Sequence, residues 1–235
     1  MKKLMFGAFL VTLVAAAPAS AQGDGPVHFN IGGGFTVPVF DDASRAPDDE
    51  DPFGTGGGFN IGLTFEPTPV FGIQVEYAFN RLAGKDREIP LTTPVGALTN
   101  GLIESHHNMQ YIDFNGVFKM AGDALVKPYG IGGFGMYYRS VSLTSPDIGF
   151  TTWCDPYWYV CYPTAVEVDR ILGDRSTWDP GINFGGGVTF ALGDEAAFYV
   201  ETRWHYMWGP EVTDFQGQTR KVNGQYWPVT FGFRF

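Results

Sequence analysis

Glu104, Ser105, His106 and His107 bring an acid, a hydroxyl and two imidazoles side by side, which is the raw material of nucleophilic catalysis. A working arrangement needs the serine next to its base and an acid to orient that base. In an extended segment Ser105 and His107 share a face while Glu104 points the other way, and no glycines flank the serine as in a nucleophile elbow. A solvated loop end accounts for the cluster more simply. No catalytic residue, cofactor or metal ligand is assigned.

A second set carries charge rather than a nucleophile. Glu66, Glu76, Asp113 and Glu201, with Lys119, Arg203 and Arg234, each fall at a polar position of an alternating segment, so all seven are expected to turn inward together. Charges held away from water must be paired and hydrogen bonded. An ion-pair plug is therefore expected, with Glu201 serving both Arg203 and Arg234 by bidentate contact; a gated proton or ion path is the alternative. Cys154 and Cys161 lie close together, which suits a local disulfide in an oxidising compartment; a metal site would need a histidine or further cysteine nearby. Around them stand Trp153, Tyr157, Trp158, Tyr159 and Tyr162, a candidate contact surface or a set of rings packed at an interface. Asp41, Asp42, Asp48, Asp49, Glu50 and Asp51 form an acidic run without the spacing of an EF-hand loop.

The elements that must position these groups alternate with a period of two. Val27 to Val37, Phe59 to Glu66, Phe71 to Asn80, Ile112 to Met120, Ile182 to Phe190, Phe198 to Trp208 and Tyr226 to Phe235 each set an oily face against a small or polar one. Lys127 to Tyr138 is harder to read, because Tyr129, Ile131 and Tyr137 have one parity and Phe134, Met136 and Tyr138 the other; a bulge or a filled interior would explain it. The breaks near Pro67, Gly122 and Gly193 are short, while segments 41–56, 81–107, 142–178 and 209–224 read as long loops. That alternation suits eight antiparallel strands in a barrel with turns in the periplasm and loops outside. Ten strands would need the weak pattern of Val166, Val168 and Ile171, whose charged neighbours make lipid contact expensive.

Lys2 and Lys3, the apolar run Leu4 to Ala17 and the small residues before Gln22 read as a signal peptide over 1–21, leaving one barrel domain over 22–235. The apolar run is shorter than the roughly 20 residues of a spanning helix. A net charge of −10 argues against a nucleic-acid surface.

The signal peptide, the strand Phe198 to Tyr206 with its inward Glu201 and Arg203, and the ending Pro228 to Phe235 resemble small outer-membrane barrels of the OmpA-transmembrane, OmpX and opacity-protein type. The resemblance implies an all-β, eight-stranded, up-and-down transmembrane barrel in a Gram-negative outer membrane. It implies contact with outer-membrane lipids and lipopolysaccharide, whose phosphates the acidic run could share cations with. It also implies that Phe231, Phe233 and Phe235 are read by the barrel-assembly machinery. A structural or surface-interaction role in a monomer, without catalysis, is the expectation, with no ligand identified. A porin-like path for small ions or apolar molecules, as in OmpW-type barrels, is the alternative, and a lipid-modifying enzyme comes third.

Overall fold

The computed structural model describes residues 26–39, 53–84, 87–92, 98–122, 124–154, 161–193, 196–213, 217 and 219–235. The strands are β1 (Val27–Pro38), β2 (Gly56–Thr68), β3 (Phe71–Leu82), β4 (Arg87–Thr92), β5 (Leu98–Lys119), β6 (Val126–Cys154), β7 (Cys161–Ala191), β8 (Ala197–Met207), β9 (Glu211–Thr213), β10 (Thr219–Lys221) and β11 (Gly224–Arg234). Eight of them close a barrel in the order β1-β2-β3-β5-β6-β7-β8-β11, and β11 returns antiparallel to β1. Closure leaves no edge at membrane depth, where an unpaired backbone group would have no water to bond.

Alternation decides which way each strand faces. In β3, Ile73 and Val75 stand outside while Gln74, Glu76 and Asn80 are buried inside. In β11, Phe231 and Phe233 are outside and Arg234 is inside, and Phe235 just past the strand is exposed. Aromatic pairs stand on the outer wall at both ends as well as between them, where Phe114 packs on Phe134 and Phe184 on Trp204. Phe71 and Phe118 pack together near the tight turns, as do Phe198 and Phe233. Tyr138 with Trp178, and Tyr206 with Trp208, mark the opposite border. From Phe198 to Trp208 a tilted strand rises about 25 Å, the height of a hydrocarbon band.

Two of the tight turns rest on glycine. Gly122 and Gly193 have φ of 129° and 130°, values that side chains with a Cβ rarely adopt. Inside the wall, glycines serve a different purpose: they leave room for lumen tyrosines on neighbouring strands. A Cβ on Gly187 would meet the Tyr129 hydroxyl at 2.6 Å, one on Gly232 would meet the Tyr199 ring at 2.6 Å, and one on Gly181 would meet Tyr137 at 2.7 Å.

The ambiguous strand turns out to be regular. Tyr129, Ile131, Gly135, Tyr137 and Arg139 of β6 are buried inside, and Phe134 and Met136 are exposed outside, with unbroken register from Val126 to Leu143. Its interior is filled by tyrosine, so both faces look oily in sequence. Three of the long segments read as loops contain strand. Residues 98–107 extend β5 and pair with β4 and β6, and β6 and β7 continue as one hairpin up to Cys154 opposite Cys161. β9 and β10 form a short hairpin of their own inside 209–224. Beyond the lipid neither face of a strand has to be apolar, so pairing persists while its sequence pattern fades. Val166, Val168 and Ile171 therefore belong to the extension of β7, and the barrel keeps eight strands.

Candidate functional site

Every strand of the barrel sends alternate side chains into the lumen, and the charged ones collect in three layers. At the end with the tight turns, Glu66 of β2 pairs with Lys119 of β5. Arg234 of β11 lies 3.7 Å from Glu66, donates from Nε to Asn30 Oδ1 at 2.7 Å and covers the Tyr129 ring at 5.7 Å. His28 stands 3.8 Å from the other oxygen of Glu66.

The middle layer is centred on Arg203 of β8. Its Nε donates to Glu201 Oε1 at 2.6 Å, its Nη2 pairs with Glu76 Oε1, and its Nη1 lies 3.7 Å from Asp113 Oδ2. Each carboxylate has further donors. Glu76 accepts from Asn60 and Gln74, both at 2.9 Å; Glu201 accepts from the Tyr129 hydroxyl at 2.8 Å; Asp113 accepts from Asn183 at 3.0 Å. His205 Nδ1 lies 3.7 Å from Asp113 and 2.9 Å from the Tyr137 hydroxyl. Arg203, Glu76, Glu201 and Asp113 are all at most 3% exposed. One guanidinium thus holds three buried carboxylates at its centre, an arrangement that tolerates the loss of the cation poorly.

Above it lies a layer that is partly apolar. Ala78, Leu82, Met109, Tyr111, Tyr137, Met207 and Tyr226 pack inside the wall, with Phe53 against them. At its rim Arg139 donates to Asp179 Oδ2 at 2.6 Å and to the Val222 carbonyl at 2.8 Å, tying β6 and β7 to the last loop. The Tyr226 hydroxyl and His107 Nε2 are 3.1 Å apart, and the Phe53 ring sits 4.8 Å from the imidazole.

All seven charged residues singled out in the sequence face the lumen, in two groups: Glu76, Asp113, Glu201 and Arg203 together, and Glu66, Lys119 and Arg234 together. In place of the expected bond to Glu201, Arg234 bonds Asn30 and lies 3.7 Å from Glu66. The register explains the change, since Glu201 stands opposite Thr230 and Arg234 opposite Ala197. Four residues of strand separate the two levels, about 13 Å. Arg139, Asp179 and His205 were not singled out. Counting parity outward from Tyr137 and back from Asn183 places the first two inside, and His205 lies on the inward face of its strand.

Ser105 and His107 also face inward and are buried, while Glu104 and His106 stand on the opposite face, 3.9 Å apart. Ser105 therefore faces the lumen and not the outer wall. Trp153 stands opposite Tyr162 in the β6–β7 register. Its side chain, the segment with Tyr157, Trp158 and Tyr159, the acidic run Asp41 to Asp51 and the segment 1–21 lie outside the described residues. Among the described residues no three His, Cys, Asp or Glu side chains are grouped to hold a metal.

A family model described as outer membrane protein beta-barrel domain matches residues 7–235. Among solved structures the chain is similar to Ail, the attachment invasion locus protein of Yersinia pestis, at 15% identity, covering 90% of this chain and 99% of that one with a TM-score of 0.44. It is similar to OprG of Pseudomonas aeruginosa at 14% identity, covering 91% and 98% with a TM-score of 0.43. A major outer membrane protein of Thermus thermophilus matches at 10% identity, covering 89% and 98% with a TM-score of 0.48. No curated protein matches the sequence.

Proposed function

The chain belongs to the outer membrane protein beta-barrel family, and on that premise we propose that it is a non-catalytic surface barrel whose lumen is closed by its own ion pairs. The observation that carries this reading is Arg203 at mid-lumen, bonded to Glu76 and Glu201, with Asp113 beside it and tyrosines above and below. An eight-stranded barrel is just wide enough for its side chains to fill it. Single-channel recording in planar bilayers tests the claim: a flat baseline is expected, and stepwise ohmic conductance would overturn it.

The remaining parts of the reading follow from the same architecture. The tight turns face the periplasm and the long hairpins face out of the cell, as short turns and long loops do in such barrels. Residues 1–21 are removed on export, leaving 22–235 as a monomeric barrel. Phe231, Phe233 and Phe235, exposed on the lipid face, present the closing strand to the assembly machinery. Cys154 and Cys161, Cα partners at the tip of the β6–β7 hairpin, are joined by a disulfide. Trp153, Tyr157, Trp158 and Tyr159, close to these cysteines in the sequence, supply the aromatic side chains of a surface contact. Intact mass of the exported protein checks two of these points together: it should lack residues 1–21 and gain two alkyl groups only after reduction. Alkylation without reductant would sink the disulfide.

One observation favours a narrow path as the second reading. A water-sized crevice is lined by Thr36, Asn60, Asn80 and Tyr111 on the lumen side and by Phe35, Phe59 and Val229 on the lipid side. It lies along the β1–β11 seam, where Thr36 stands opposite Pro228 and Phe35 opposite Val229.

A further inference from the structure

Among the described residues, the β6–β7 hairpin leaves one strand edge without a paired neighbour. Pairing between β7 and β8 ends at Gly181 opposite Met207, and the last bond across that seam runs from Trp208 N to Pro180 O at 3.0 Å. From there to Cys161, β7 pairs with β6 alone among the described residues. Trp178 marks the border of the lipid band, so residues 161–177 form an edge about 55 Å long outside it. Backbone groups along such an edge are a template for another strand, and exposed edges are normally short or heavily guarded.

The middle of this edge is apolar and its flanks are charged. A register shift between Leu143 and Thr144 leaves Leu172 without a Cα partner on β6, and Ile171 and Leu172 are 67% and 49% exposed. Around them the sequence runs Asp169, Arg170, Ile171, Leu172, Gly173, Asp174, Arg175. Laid antiparallel on itself about Leu172, this segment sets Arg170 opposite Asp174, Asp169 opposite Arg175, and Leu172 opposite Leu172. Opposite charges directly across a strand pair stabilise it and like charges destabilise it.

Direction then selects the partner. β7 descends from the hairpin tip toward the membrane in every copy, so two copies in one membrane can align these edges only in parallel. About a two-fold axis along the membrane normal, each residue would then face its own counterpart, Arg170 on Arg170 and Asp174 on Asp174. An antiparallel match needs the second β7 to run the other way, which a copy in a facing membrane does.

We propose that the outer edge of β7 docks on the same edge of a second copy of this chain carried by an opposing membrane, joining two hairpins into one continuous sheet. The proposal rests on the surface-barrel reading above, since it needs the hairpin outside the cell, but it makes no use of the lumen.

Clustering of proteoliposomes tests it, with the full barrel reconstituted in phosphatidylcholine vesicles of two fluorescent colours. Wild-type vesicles should cluster, as read by cross-correlation of the colours. Asp174→Arg alone and Arg170→Asp alone should each reduce clustering about tenfold, because each reverses two charge pairs per dimer. Mixing the Asp174→Arg population with the Arg170→Asp population should restore it, because each introduced charge again meets its opposite across the pair. That recovery also shows that both variants are folded. Wild-type vesicles that stay dispersed overturn the proposal and leave the edge to a partner of another kind. Single variants that cluster as the wild type does, or a mixture that fails to recover, overturn it as well. None of these outcomes bears on whether the lumen conducts, which recording in planar bilayers decides separately.

Discussion

Arg203→Met should lower the unfolding free energy of the barrel by about 3–5 kcal/mol, the usual cost of leaving a buried ion pair with one partner missing. The side chain keeps its approximate length, so the change removes charge and hydrogen bonds more than volume. Glu76, Glu201 and Asp113, now without their shared cation, would stand together in a lumen where none of them reaches water. The measurement is the urea midpoint of folding in detergent or liposomes, followed by the mobility difference between folded and unfolded barrel. Adding Glu76→Gln and Glu201→Gln to the same chain should return part of the loss, because the neutral amides no longer repel each other or Asp113. Such recovery is strongly non-additive and belongs to residues in one network. An Arg203→Met barrel as stable as the wild type would mean that the central layer is not held by this cation.

Gly187→Val should cost about 2.5–6 kcal/mol by a different route. The new side chain would occupy the position of the Tyr129 hydroxyl, which lies 2.6 Å from where its Cβ would stand. Overpacking of this kind costs about 1–3 kcal/mol. Displacing the tyrosine also removes its 2.8 Å hydrogen bond to Glu201, and a bond to a charged group is worth about 1.5–3 kcal/mol. Gly130 supplies the control on the neighbouring strand. A Cβ there meets nothing within 4 Å, so Gly130→Ala should change stability by less than about 0.5 kcal/mol. The same urea titration checks both. Equal effects at the two glycines would show that Tyr129 does not depend on the space above Gly187.

The two variants also show what was legible in the sequence. Lipid demands an apolar side chain at every second residue, so strands such as β3, β8 and β11 declare both their existence and their facing. The inward position of Glu76, Glu201, Arg203 and Arg234 follows from that parity alone. Parity does not reveal height. Arg234 meets Glu66 rather than Glu201 because the strands are staggered around the barrel, and stagger is a property of the whole closure. β6 was ambiguous for a related reason: Tyr129 and Tyr137 inside are as oily as Phe134 and Met136 outside, and only the glycines across the wall tell the two faces apart.

The hairpin end was the least legible. Arg139 and Asp179 bond across β6 and β7 at the rim, close to where the pattern that reported the strands gives out. Segment 142–178 has no required apolar face, so a period of two shows there only in the weak pattern of Val166, Val168 and Ile171, although the backbones pair up to Cys154 and Cys161. What can be read there is of another kind: the charge order around Leu172, which makes sense only once the edge of β7 is known to be free of β8.

Single-channel recording of the wild-type barrel beside Arg203→Glu is the most direct test of a lumen closed by ion pairs. With Glu76, Glu201 and Asp113 clustered on one guanidinium, the wild-type barrel is expected to give a flat baseline at moderate voltage. The reversed charge should repel all three carboxylates and produce openings. A wild-type barrel that shows a stable ohmic conductance, abolished rather than created by the change at Arg203, would contradict the account.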